Sequence, residues 1–184
     1  MSGFDFQPQL IGDQLHLRPL VAEDWDAVFA AASDPLIWAL HPALERHKED
    51  RFRVYFEDRL ASRTTLVIID RTDDTIIGWS SFGGFDPIVS EAEIGWTFLA
   101  RSHWGDGTNR ALKRLMLTHA FGFVDSVFFR IAPTNLRSCR ATEKLGAVLT
   151  DRTDTITMNG VEIPHLIYAI TKSDYQTSSL CLEG

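Results

Sequence analysis

Phe98-Leu99-Ala100-Arg101-Ser102-His103-Trp104-Gly105-Asp106-Gly107-Thr108-Asn109-Arg110 is the stretch on which the reading of this chain turns. An apolar run ends, two glycines break the chain, and a helical pattern begins. Leu112, Leu115, Met116, Ala120 and Phe123 share one face of a helix predicted over 108–124. A strand feeding a glycine turn that opens a helix gathers unpaired backbone N–H groups at the positive helix end, a setting that suits an anionic ligand. Glycine also lets the backbone approach that ligand closely. The turn is not a P-loop, because no Gly-Lys-Ser/Thr follows, and not GxGxxG, because Arg110 stands at the third glycine position. An ordinary loop-to-helix cap would look the same, so the flanking sequence has to decide.

Outward from the turn, 91–99 reads as a strand, as do 64–70 and 75–85, which are joined by Thr72-Asp73-Asp74 as a hairpin. Upstream, 45–61 is a charged surface helix with one apolar stripe (Phe52, Tyr55, Phe56, Leu60). A further helix is predicted over 23–32, ending before Asp34-Pro35, and Leu15-His16-Leu17-Arg18-Pro19-Leu20 alternates as a half-buried strand. Downstream come a short strand over 127–132 and a helix over 135–145 that Gly146 closes. Two strands, 148–158 and 163–170, then meet at Asn159-Gly160. The order β-α-α-β-β-β-α-β-α-β-β predicts a single α/β domain with a mixed, mostly antiparallel sheet flanked by helices. The expected boundaries are a loose N-terminal extension over 1–13, the domain over 14–171 and a frayed tail over 172–184.

The chain has 184 residues, 45% of them apolar and 23% charged, enough for one domain with a real core and inconsistent with disorder. Its net charge of −7 makes it a poor general binder of nucleic acid. The average hides an asymmetry: 101–152 carries nine basic residues against four acids, net +5, which leaves −12 elsewhere. A basic island in an acidic chain suggests a local anionic ligand, although a solvated helix face gives the same count. Cys139 and Cys181 cannot form a disulfide framework, so a reducing compartment is expected. Met1 to Leu10 has no basic n-region or apolar run, and no stretch approaches the ~20 apolar residues of a membrane span. The expectation is a cytoplasmic protein away from membranes. The six histidines show no HExxH and have no CxxC companion, so no metal site is expected.

Asn135-Leu136-Arg137-Ser138, followed by Glu143-Lys144-Leu145-Gly146-Ala147, supplies the second signal. By itself it is an N-cap and a glycine C-cap. Paired with the glycine turn, it resembles the cofactor motifs of the GCN5-related N-acetyltransferase (GNAT) superfamily. Trp104-Gly105-Asp106-Gly107-Thr108-Asn109 is similar to the pyrophosphate loop, and Asn135-x-x-Ser138 with Glu143-Lys144-x-Gly146-Ala147 is similar to the second motif. The resemblance spans about 14–171. Glu93-Ile94-Gly95-Trp96 and the tryptophan before the glycines look most like the ribosomal-protein N-acetyltransferase (RimJ/RimL) branch, whose members often dimerise. Two positions depart: Ser102 stands where a Gln or Arg is common, and Thr142 stands where many members carry a tyrosine acid.

The resemblance implies acetyl transfer from acetyl-CoA directly to a primary amine, a protein N-terminal α-amine or a small amine or amino acid, in a ternary complex. It assigns the phosphates to Trp104, Gly105, Asp106, Gly107, Thr108 and Asn109, aided by Arg110, and the thioester carbonyl to backbone near Phe98, Leu99 and Ala100. Asn135 and Arg140 complete the cofactor contacts. The attacking amine must lose a proton, and the implied base is Glu93, or less firmly Glu91, which shares its strand face. Ser138 is the implied donor to the departing sulfur in place of the tyrosine, although a first-turn serine also caps its own helix. Asn135 is implied beside it. Cys139 has no histidine nearby in sequence to activate it and reads as packing. Acceptor-side candidates are Trp38, His41, Pro42, Phe52, Tyr55, Phe56, Phe82, Phe85 and Trp96, with His165 as a further cleft residue. The acidic remainder of the chain favours a cationic acceptor. A non-catalytic acyl-CoA-binding or sensing module fits the same motifs, given Thr142, and an unrelated phosphate-ligand protein would share only the glycine turn.

Overall fold

Residues 3–158 and 160–182 are described by a computed structural model. The first segment is tied down rather than loose: Phe4 is buried, and β1 (Leu10–Ile11) pairs with β2 (Leu15–Pro19). A short 3₁₀ turn leads into α1 (Trp25–Ala32). Asp24 locks that junction by accepting two hydrogen bonds from the Arg18 guanidinium, at 2.8 and 2.7 Å, and one from the Val21 N–H at 3.0 Å. Helix α1 ends before Asp34-Pro35 as expected, and a second helix starts there at once. Pro35 opens α2 (Pro35–Trp38), where its missing N–H costs nothing, and the Asp34 side chain accepts from Leu36 N–H at 2.9 Å. A second 3₁₀ turn, Leu44–His47, precedes α3 (Glu49–Ser62).

Next come β3 (Thr65–Asp70), β4 (Thr75–Asp86), β5 (Glu91–Leu99), α4 (Thr108–Ala120) and β6 (Ser126–Ile131). They are followed by α5 (Leu136–Glu143), β7 (Val148–Met158), β8 (Val161–Thr171), α6 (Lys172–Thr177) and α7 (Ser179–Leu182). Helix α4 is shorter than expected, ending at Ala120, and Phe123 lies past its end, partly exposed. Asn159 of the expected Asn159-Gly160 turn lies outside the described residues, while Gly160 has the left-handed φ of 77° that such a turn needs. The tail is not frayed through residue 182: Tyr175 and Leu180 are buried in the main core.

The eight strands among the described residues form one sheet, ordered β1-β2-β3-β4-β5-β6-β8-β7, with every pairing antiparallel except β5 with β6. Helices cover both faces. On one, α1 to α3 pack Trp38, Phe52 and Phe56 against Trp79 and Phe98, with Phe52 stacked on Trp79 at 5.2 Å and 18°. On the other, Leu112, Met116 and Leu117 of α4 meet Phe82, Ile94 and Val127. Each such burial is worth roughly 2–3 kcal/mol. These two layers hold β5 firmly, and the site is built around β5.

Candidate functional site

Strands β5 and β6 pair only over Glu91–Glu93 with Ser126–Phe128, and beyond that they splay apart. The splay opens a cavity of about 360 Å³. A bulge shapes its β5 wall. Trp79 faces Phe98 and Ser81 faces Gly95, so Trp96 and Thr97 both stand opposite Ser80. Trp96 takes a left-handed φ of 51°, a strained conformation for a tryptophan. Its ring lies over Gly83, where a Cβ would come within 2.8 Å of it, and under the Arg59 guanidinium at 4.7 Å.

The glycine turn closes one end of the cavity. Gly105 and Gly107 both adopt left-handed φ, 81° and 96°, and Gly107 is the N-cap of α4. Asp106 accepts the Thr108 N–H at 2.9 Å, whereas the N–H groups of Gly105, Gly107 and Asn109 have no acceptor among the described residues. Trp104 pins the turn by donating Nε1–H to the Leu99 carbonyl at 3.1 Å, and Arg137 of α5 stacks over its ring at 4.0 Å. Unpaired donors at a helix start, beside a groove with a free strand edge, fit a phosphate-bearing chain with an extended arm.

Glu93 and Glu91 share a strand face, as the alternation requires, but they are not equivalent. Glu91 is held by the Arg152 fork at 2.8 and 3.0 Å, away from the cavity. Glu93 is 4% exposed and lines the cavity; Arg130 reaches its Oε2 at 3.2 Å and shares its other arm with Asp154 at 2.7 Å. Burial pushes the Glu93 carboxyl up to about 7 despite Arg130, with Asp154 adding to the rise. Glu93 is thus poised to exchange a proton at neutral pH.

Lys113 has no role in the sequence-based assignment, and the fold brings it to the site. Its side chain is buried beneath the bulge, donating to Ser80 Oγ at 3.1 Å and Thr97 Oγ1 at 2.7 Å, and it lines the cavity. Burial alone pulls its amine down to about 7. The signal was present, since Lys113 sits beside Leu112 and three and four residues before Met116 and Leu117, on the buried face of the helix.

On α5, Asn135 caps the helix, its Oδ1 accepting the Ser138 N–H at 3.3 Å. Asn135, Ser138 and Thr142 line the cavity, and the Ser138 hydroxyl has no partner among the described residues. Phe98, Leu99, Trp104, Gly105 and Asn109 line it as well. Ala100, Asp106, Thr108 and Arg140 do not, while Gly107 and Arg110 border a separate small pocket with Gly12 and Arg114. Cys139 is buried packing.

Trp38, His41, Pro42, Tyr55 and Trp96 from the expected acceptor-side set also line the cavity, with Ile156, Met158 and a buried His165. Phe52, Phe56 and Phe82 are core, and Phe85 packs beside Phe4. The cavity's charges run against the chain average. Glu93 is the only carboxylate on its wall among the described residues, facing Arg46, Lys113, Arg130 and Arg137.

Residues 14–148 match the family model for the acetyltransferase (GNAT) domain. A search of curated proteins returned no match. Among solved structures, a GCN5-related N-acetyltransferase from Brucella melitensis superposes with TM-score 0.79 at 17% identity, covering 96% of this chain and 83% of that one. The spermidine N-acetyltransferase from Vibrio cholerae, solved with CoA and spermine, gives 0.66 at 20% identity over 90% and 100%. A proposed ribosomal-protein-serine acetyltransferase from the same organism gives 0.74 at 13% over 89% and 97%. At these identities the structural likeness speaks for the fold, while the domain match covers most of the sequence. GNAT acetyltransferases draw their acetyl group from acetyl-CoA, a donor that the turn and the splayed strands fit. The chain belongs to the GNAT acetyltransferase family.

Proposed function

We propose that this protein is an N-acetyltransferase that moves an acetyl group from acetyl-CoA directly to a primary amine, with Glu93 taking the amine proton. The observation that carries the reading is Glu93 itself, buried on the wall of the cavity that the glycine turn closes, with its carboxyl held near 7. Above that pH it is a carboxylate able to accept a proton from an ammonium, directly or through one water. The N–H groups of Gly105, Gly107 and Asn109 bind phosphate, and the splay leaves β5 backbone free to hold a carbonyl oxygen as charge develops on it. Acetyl-CoA supplies an activated acyl group with a good leaving thiol.

Thr142 provides no phenolic acid, and two donors on the same walls take up that task. Ser138 presents a hydroxyl without a partner among the described residues, and Lys113 presents an ammonium that titrates near 7, below the ~8.5 of an ordinary thiol. Proton transfer from such an ammonium to a thiolate is downhill. The RimJ/RimL-like motif and the Vibrio cholerae neighbour of related description support an acceptor of the N-terminal α-amine or small-amine class. Two free cysteines fit a cytoplasmic setting. The missing tyrosine also favours a second reading, a non-catalytic acyl-CoA sensor.

Turnover by the unaltered protein separates the two, and Glu93→Gln tests the base. That substitution should cut acetyl transfer at neutral pH by about a hundredfold or more while acetyl-CoA affinity, followed by calorimetry, stays within about twofold. An unaltered rate removes Glu93 as the base. Binding of acetyl-CoA without transfer to any amine supports the sensor instead.

A further inference from the structure

Among the cavity residues that acetyl transfer does not use, Arg46 and His41 form a pair of hydrogen-bond donors turned toward each other, with no acceptor for them among the described residues. His41 Nδ1 accepts the Ala43 N–H at 2.9 Å. A backbone N–H can only donate, so the proton of the neutral imidazole must sit on Nε2. Burial and the neighbouring guanidinium of Arg46 pull His41 down to about 3, which keeps it neutral. Its Nε2–H therefore faces Arg46 Nη1, another donor, across 3.4 Å. Two N–H groups turned toward one another call for an oxygen acceptor between or beside them.

Nothing among the described residues supplies it. The Arg46 guanidinium lies over Tyr55, 3.6 Å from the ring centroid, with Trp38 at 5.6 Å; among the described residues no carboxylate forms an ion pair with it, and Asp58, whose charge reaches it at longer range, is paired with Arg59 at 2.7 Å. Arg137, close enough to push the His41 proton away, adds a second positive charge, its own N–H groups going to the carbonyls of Leu36 and Ile37. A half-buried guanidinium with no carboxylate in contact is costly unless a ligand brings one.

We infer that Arg46 and His41 form an anion subsite at the acceptor end of the cavity, and that the acceptor is a primary amine which also carries an anionic group, a carboxylate or a phosphate. The inference rests on the acetyl-transfer reading for the amine half only. The amine is placed at Glu93, the anionic group at Arg46, and the body between them lies against Trp38, Ile156 and Met158. This differs from the expectation of a cationic acceptor drawn from the acidic remainder of the chain, whose acids, Glu93 apart, do not line the cavity. A polyamine, for which the Vibrio cholerae neighbour is named, would meet a single carboxylate and four cations here.

The test compares matched acceptors under saturating acetyl-CoA. Free amino acids of differing chain length and O-phosphoethanolamine are set against the same amino acids as amides, the matching decarboxylated amines, and spermidine. The free acids or the phosphate ester should show KM lower than their neutral partners by roughly tenfold or more, and which of the two wins identifies the anion. Arg46→Gln should collapse that ratio toward one, and Arg46→Lys should keep part of it. Binding of the same compounds to the CoA complex, followed by calorimetry, reads the subsite without turnover. Acid-over-amide preference that Arg46→Gln abolishes supports the subsite even if no acetylation occurs, in which case the catalytic reading alone fails. Equal use or binding of acid and amide by the unaltered protein, preference for spermidine, or an acid-to-amide ratio untouched in Arg46→Gln overturns it, as does failure of every compound to bind.

Discussion

Lys113 and Glu93 make opposite and separable demands on stability. The Lys113 amine falls from 10.5 in the unfolded chain to about 7 in the folded one, and each pH unit of difference is worth about 1.4 kcal/mol, so the buried charge costs up to about 5 kcal/mol. The sign follows from proton binding. Between about 7 and 10.5 the unfolded chain holds the extra proton, so stability from this group rises with pH; below 7 the cost is fully present and constant. Glu93 runs the other way. Its carboxyl rises from 4.5 to about 7, so its contribution is intact below 4.5 and is lost as pH climbs through 7, a cost of up to about 3 kcal/mol. Together the two groups place a dip in stability near neutrality. Lys113→Met keeps the length of the side chain and leaves Ser80 and Thr97 bonded to each other at 2.7 Å. In urea unfolding at several pH values, its advantage over the unaltered protein should be greatest at and below pH 7 and shrink by about 3 kcal/mol by pH 9.5. The advantage of Glu93→Gln should be absent at pH 4.5 and full above 7. Differences that do not change with pH would refute the argument, because they would mean that neither charge is buried as described.

Other outcomes follow from the same geometry. Gly107→Val forces a β-branched residue to φ 96° and should lower acetyl-CoA affinity by about tenfold or more in calorimetry, as phosphate-facing N–H groups are displaced. Asp24→Ala strands Arg18 beside α1 and should cost about 2 kcal/mol by urea unfolding, less than a fully buried pair because Arg18 is partly solvated. Leu180→Ala should cost about 3 kcal/mol, the measure of a tail that is part of the core; a loss below about 1 kcal/mol would return it to the frayed segment that its sequence suggests.

The local signals in the sequence were the reliable ones. Alternation at Leu15–Pro19, the apolar face of α4 and the glycine turn each place an element through contacts a few residues apart. What stayed hidden depends on partners far along the chain. Glu91 and Glu93 look alike in sequence; Arg152, from another part of the sheet, ties up the first away from the cavity, while burial on the cavity wall raises the second to about 7 despite Arg130. The bulge at Trp96 needs Gly83 from the neighbouring strand. Helices α6 and α7 are too short for periodicity to show, so Tyr175 and Leu180 gave no sign of their burial. The basic stretch 101–152 does announce the cavity, since Lys113, Arg130 and Arg137 come from it, while Arg46 joins them from the acidic remainder through the fold alone.

The most direct test is thiol release from acetyl-CoA at pH 8, where Glu93 is a carboxylate, in the presence of amines that carry a carboxylate, with the product identified by mass. The account predicts steady release only when an acceptor is present, an N-acetylated product, and a rate that falls as pH drops through about 7. Acetyl-CoA that neither binds nor turns over with any amine would contradict it at its root, since the glycine turn and the splayed strands would then hold some other ligand.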